Sequence, residues 1–220
     1  MFVADATVLF GYEAIIEFIS LLVTAGIALY AYKIYKYSSE KRYLYFAMAF
    51  ASISAAFLIN SFINAEVFFS RVGSVSILDI PLTTSVLTLY KAAYITQLFL
   101  MLSGYMFLTI LTFKLEDKRP LPLFLFFTVI STILGYKWSI AYYITSFVLL
   151  SYIVYYYYEN YLKKKSAKTL LVFASFKIIT LAQVLFILAL FFKQFYFIGD
   201  IAELVGYIVL LTGLVLVLRK

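Results

Sequence analysis

Four ionisable side chains stand where an oily helix ordinarily carries none. Glu13 and Glu17 lie one helical turn apart in the first apolar stretch, and Ser20 and Thr24 continue the same face. Lys91 follows Thr84 and Thr88 along one face of the third stretch, and Lys177 sits near the centre of the sixth, with Thr180 one turn further on. Inside hydrocarbon each such group costs about 2.5 to 3.5 kcal/mol on insertion scales, so it is expected to face a protein interior and find a partner. The chemistry within reach is that of carboxylates and ammoniums: ion pairing, cation or solute binding, and proton movement. Counting at ~1.5 Å per residue from the flanking charges puts Glu13 and Lys91 roughly 10 Å to one side of the midplane. By the same count Glu17 lies a few Å to that side and Lys177 a few Å beyond it. The spacing predicts a polar core in which Glu13 faces Lys91 and Glu17 faces Lys177, assisted by Asn60, Asn64 and Gln97. Two acids and two bases balance, as a dry interior requires.

Other chemistry is excluded by what is missing. The chain has no cysteine and no histidine, which removes disulfides, thiol nucleophiles, histidine-ligated haem, iron–sulfur centres and ordinary zinc sites. No phosphate-binding loop accompanies the carboxylates. We therefore expect no metal, no cofactor and no enzymatic activity.

These residues must be positioned by membrane helices. The sequence is 65% hydrophobic and 13% charged, with a mean hydropathy of +1.00, which is far outside soluble composition. A span needs about 20 largely apolar residues. Seven stretches serve: Ala6 to Tyr32, Tyr43 to Asn64, Thr84 to Phe113, Leu121 to Gly135, Trp138 to Tyr158, Ala167 to Phe192 and Ile201 to Leu218. The fourth is short, and a re-entrant segment is its alternative. The expected fold is thus a single all-α integral membrane domain over residues 1–220, a seven-helix bundle with no soluble domain. Asp5 and the absence of an N-terminal basic cluster predict a retained first span rather than a cleaved signal peptide.

Basic residues test the segmentation independently. Thirteen of them fall in the first, third and fifth connections and at the C-terminus: Lys33, Lys36, Lys41, Arg42, Lys114, Lys118, Arg119, Lys163, Lys164, Lys165, Lys168, Arg219 and Lys220. Only Arg71, Lys137 and Lys193 fall in the others. This bias predicts an N-terminus outside and a C-terminus in the cytoplasm of a multi-pass cell-membrane protein. The net charge of +7 then serves topology and the anionic lipid surface rather than nucleic acid, which is not an expected partner. Tyrosines at 30, 32, 35, 37, 43 and 45, and again at 155–158 and 161, read as an interfacial belt at the same boundary.

Smaller patterns predict packing. Ala47, Ala51 and Ala55, widened by Ser52 and Ala56, form a small-residue ridge on the second span, and Gly206 and Gly213 do the same on the seventh. Contacts within the bundle are expected from both, with a dimer seam as the alternative. The connection from Ala65 to Thr83 mixes Phe68, Phe69, Val72, Val75, Ile77 and Leu78 with Arg71, Asp79 and Pro81, and suits an interfacial helix or a lid. Spans one to three and five to seven share an orientation, and Leu102-Ser103-Gly104-Tyr105 is echoed by Leu204-Val205-Gly206-Tyr207. That suits a three-plus-one-plus-three duplication, although four residues in so biased a composition also match by chance.

The helix count invites comparison with microbial rhodopsins, but the seventh span has no lysine for a Schiff base. Sugar-carrying three-plus-one-plus-three transporters have paired proline–glutamine signatures with no counterpart here. The run from Tyr32 through Lys33, Ile34, Tyr35, Lys36, Tyr37, Ser38, Ser39, Glu40, Lys41, Arg42, Tyr43, Leu44, Tyr45 and Phe46 to Ala47, with Ala49-Phe50 after it, resembles the first cytoplasmic turn of uncharacterised archaeal seven-helix proteins. Those are similar to the membrane sensor module that precedes some histidine kinases. The resemblance implies a receptor-like sensor or accessory subunit acting through a membrane or cytoplasmic partner, or as a homo-oligomer. A small solute or ion carrier using the buried carboxylates and lysines is the alternative, and an intramembrane enzyme acting on lipid is a third reading.

Overall fold

A computed structural model describes the backbone of residues 2–72, 84–113 and 121–218, and the side chains of 12–67, 88–113 and 122–216. The described residues are almost all helical, with no strand among them. In order these are α1 (Phe2–Ser38), α2 (Lys41–Val72), α3 (Thr84–Phe113), α4 (Leu121–Lys137), α5 (Ser139–Lys164), α6 (Ala167–Ala189) and α7 (Gln194–Leu218). Six of them are long and apolar enough to cross a membrane, and α4 is a shorter apolar helix. Its 17 residues rise only about 26 Å at 1.5 Å each, slightly less than the hydrocarbon thickness. The expected lid or interfacial helix over 73–83 lies outside the described residues, as do Lys114, Lys118, Arg119, Arg219 and Lys220.

The helices overrun the hydropathy boundaries because polar residues at their ends keep helical hydrogen bonding. The first part of the expected second connection is helical to Val72, and α7 begins at Gln194 rather than at Ile201. Two turns at the basic end use the same device. Ser39 (φ 57°) and Lys165 (φ 45°) adopt left-handed backbone, and their amides donate to the carbonyls of Tyr35 and Tyr161 at 2.8 and 2.7 Å. Ser166 then caps α6, its hydroxyl oxygen accepting from the Thr169 amide. Helix α4 runs past the expected end at Gly135 to Lys137, and the extended Trp138 (φ −135°, ψ 98°) makes the turn into α5. Gly135 lets α5 approach, since a Cβ there would come within 2.8 Å of the Tyr142 Cβ.

Six helices close a ring in the order α1, α2, α3, α5, α6, α7, and α4 packs outside it against α3 and α5. Exchanging α1–α3 for α5–α7 maps each contact of that ring onto another: α1 on α2 becomes α5 on α6, α2 on α3 becomes α6 on α7, and α1 on α7 becomes α5 on α3. Atomic detail repeats as well. A Cβ on Gly104 would strike Ile53 Cγ1 and meet the Ala49 carbonyl oxygen at 2.9 Å, while one on Gly206 would meet Ile179 Cγ1 at 2.5 Å and the Ser175 carbonyl oxygen at 3.2 Å. The two Leu-x-Gly-Tyr segments therefore occupy matching seats, each glycine over a residue pair spaced by four on the preceding helix. The three-plus-one-plus-three pattern is a property of the packing.

The ridge on α2 needs correction. Ala51 faces outward, and the residues that meet α3 are Ala49, Ser52 and Ile53. The Ser52 hydroxyl donates to the Leu100 carbonyl at 2.7 Å. At 100° per residue, the Ala47–Ala51–Ala55 row lies to one side of the row that α3 selects. Gly206 and Gly213 do pack within the bundle, both against α6. The tyrosine belt is divided: Tyr32, Tyr37, Tyr155 and Tyr158 are exposed, whereas Tyr157 stacks on Phe176 and Tyr161 on Phe173, fastening α5 to α6.

Candidate functional site

The polar face of α1 turns inward as expected. Glu13, Glu17, Ser20 and Thr24 are all buried, Glu17 at 3% exposure. Thr24 satisfies itself by donating to the Ser20 carbonyl at 2.7 Å, so only the two carboxyls require partners from elsewhere. Helix α2, packed along α1, supplies them for Glu17. The Asn60 amide donates to Oε1 and the Asn64 amide to Oε2, the latter at 2.9 Å. Asn60 and Asn64 are one turn apart, so two side chains from one helix grip both oxygens of a carboxyl on its neighbour.

The lysines expected to neutralise these acids do not. Lys177 is exposed on the outside of α6, and α6 touches α5 and α7 but not α1. Burial on α6 follows Ser175, Phe176, Ile179, Ala182, Gln183 and Phe186, and Lys177 points the opposite way at 100° per residue. Thr180 is buried on α6 with its hydroxyl returned to the Phe176 carbonyl at 2.8 Å, away from Glu17's partners. Lys91 is exposed, lines the chamber described below and forms no ion pair with Glu13. Gln97 is half-buried on α3, and its Oε1 is buried without a hydrogen-bond partner.

In place of the lysines, α7 brings two further carboxyls. Glu203 is 5% exposed, and its Oε1 accepts from the hydroxyls of Tyr105 and Tyr207, each at 2.9 Å. The two hydroxyls lie 3.3 Å apart. Tyr207 is held in turn by edge contacts from Phe50 and Phe57. Tyr105 and Tyr207 are the matching residues of the two Leu-x-Gly-Tyr segments, so the two halves of the fold meet on one carboxyl. Asp200, one turn earlier on α7, has a buried Oδ2 with no hydrogen-bond partner and lies within electrostatic reach of Glu13, Glu17 and Glu203. This cluster therefore gathers four acids, Glu13, Glu17, Asp200 and Glu203, and among the described residues no lysine or arginine joins it.

Sequence reading missed Asp200, Glu203 and both tyrosines as site residues. The available signal was spacing: positions 200, 203 and 207 share one helical face, as do 13, 17, 20 and 24.

Above this cluster, at the end where basic residues are sparse, a chamber of about 670 Å³ opens between the helices. Glu13, Asn60 and Asn64 line it together with Tyr90, Tyr94, Tyr136 and Tyr196. Lys91 and Lys193 stand at it with their charges exposed. Towards the other end the bundle is shut by fully buried Ile27, Ala31, Phe50, Ile53 and Leu210.

No family model, curated protein or solved structure matches the chain.

The site must therefore be read from its own chemistry. The buried carboxyl of Glu13 and the exposed ammoniums of Lys91 and Lys193 in one lining suit a small solute with charges of both signs, and the phenol rings suit its apolar part. Among the described residues no three acidic side chains are grouped closely enough to hold a metal ion.

Proposed function

We propose that the chain is a non-enzymatic, receptor-like membrane protein that takes up a small zwitterionic solute in the chamber and acts through a partner. The observation that carries this reading is the chamber itself, open at one end, lined by Glu13, Asn60, Asn64 and Lys91, and closed beneath by packed apolar side chains. A dead-ended cavity binds without conducting. The resemblance of the first turn to sensor-module proteins points the same way, and the charge bias supports an outside N-terminus, with the chamber facing out. The membrane is then the cell membrane, and the basic turns between α1 and α2 and between α5 and α6 face the cytoplasm, where a signalling partner would meet them.

One observation favours a carrier as the second reading. Two similarly packed three-helix halves meet on a buried polar site, which is how many secondary transporters are arranged.

Binding and uptake separate the two. Purified protein titrated with free amino acids and short peptides is expected to gain heat stability with at least one of them, by about 2.7 kcal/mol at a hundredfold excess over Kd. Glu13→Gln or Asn64→Leu, both in the chamber lining, should weaken that binding about tenfold or more, the scale of one charge-assisted hydrogen bond. Proteoliposomes should show no accumulation of the same solute. Uptake abolished by Glu17→Gln would replace the receptor reading with the carrier.

A further inference from the structure

We infer that the outer face of α6 is a docking seam for a transmembrane helix of another polypeptide that carries an aspartate or glutamate at mid-bilayer. Lys177 is the eleventh of the 23 residues of α6, so about 15 Å of helix separates it from the nearer end. An extended lysine stem spans only about 6 Å, too little to bring the ammonium to the headgroups from that depth. Lys177 is exposed and takes part in no hydrogen bond or ion pair among the described residues. A charge so placed calls for a partner that the chain does not supply.

The residues around it form a seam. Leu170, Ala174, Lys177, Leu181, Val184 and Leu188 alternate at spacings of four and three, and all six are exposed or half-buried. That is the repeat by which two helices interlock, and Ala174 lets the partner approach beside the lysine. The buried face of α6 is the opposite one, so the seam is turned away from the face that packs in the bundle.

Charge complementarity selects the occupant. A second copy related by two-fold symmetry would set Lys177 against Lys177. A second copy docked in another way has no acid to offer at that depth: among the described residues Glu13, Glu17, Glu66 and Glu203 are buried, Asp200 lies inside, and Glu40 and Glu159 lie at helix ends. Lipid phosphates lie beyond reach at the headgroups. An acidic helix from a different chain meets both the charge and the spacing. This names the partner that the receptor-like reading leaves open and rests on that reading for a partner's existence. The seam and the chamber are separate, so loss of solute binding and loss of helix docking are distinguishable results.

The probe is a synthetic 23-residue leucine–alanine helix with one central aspartate, co-reconstituted with the full chain and followed by fluorescence energy transfer. It should associate about tenfold or more tightly than its central-leucine counterpart, and Lys177→Leu should abolish the preference. Lys177→Glu should transfer it to a helix with a central lysine. Because the substitutions sit on the exposed face, the melting temperature of each variant should match the parent, which confirms that folding is intact. Equal association of the aspartate and leucine helices, or an aspartate preference that survives Lys177→Leu, would overturn the inference. So would self-association of the chain that depends on Lys177, which would make the occupant a second copy.

Discussion

Combining Tyr105→Phe with Tyr207→Phe is expected to destabilise the protein by about 3–5 kcal/mol, the scale on which buried charged groups are stranded. Both hydroxyls donate to one oxygen of Glu203, which is 5% exposed. Either tyrosine alone leaves the carboxyl one donor, so each single substitution should cost about 1–2 kcal/mol, and the double change should exceed their sum. Glu203→Gln preserves an acceptor at Oε1 and should be milder than the double tyrosine change. Thermal or denaturant unfolding of the purified protein in lipid nanodiscs would measure all four variants. A double variant within about 0.5 kcal/mol of the parent, the usual range for inconsequential sites, would show that Glu203 does not join the halves.

The second large effect concerns the paired glycine seats. Gly104→Ala and Gly206→Ala should each cost about 1–3 kcal/mol, because the added methyl meets backbone as well as side chain. At Gly104 the obstruction is the Ala49 carbonyl oxygen at 2.9 Å, and at Gly206 it is the Ser175 carbonyl oxygen and the Ile179 amide nitrogen, both at 3.2 Å. A rotamer change relieves neither, so α2 and α3, or α6 and α7, must separate. Gly26→Ala provides the contrast: its methyl would rest 3.7 Å from Leu211, and better helix propensity should leave stability unchanged or raised by about 0.5–1 kcal/mol. Equal tolerance at Gly26, Gly104 and Gly206 would remove the packing basis for the repeated halves.

What the sequence revealed was whatever depends on one segment at a time. Hydropathy located all seven helices because each segment meets lipid along its own length, and helical spacing put Glu13, Glu17, Ser20 and Thr24 on one inward face. Partners across helices were harder. Opposite charges at similar depth suggested Glu17 with Lys177, but depth says nothing of azimuth or of which helices are neighbours, and α6 is not next to α1. Glu203 escaped notice because it lies in a strongly apolar stretch. Asp200 was trimmed from α7 because its charge lowers the local hydropathy, although it faces the interior and leaves the helix free to begin at Gln194. The repeated Gly-Tyr pair was visible as letters. Its meaning emerged only when both tyrosines were seen on one carboxyl.

The account turns on a chamber reached by water from the basic-poor end and sealed beneath Glu17. Thiol accessibility tests this directly, since the chain has no cysteine of its own. Ile63→Cys places a thiol in the chamber wall without disturbing the asparagine contacts to Glu17, and Leu210→Cys places one in the sealed half. In intact cells a membrane-impermeant thiol reagent should label Ile63→Cys, should miss Leu210→Cys, and should reach Lys165→Cys only after permeabilisation. Failure to label Ile63→Cys from outside, or labelling of Leu210→Cys at a comparable rate, would contradict an outward-open, dead-ended binding site.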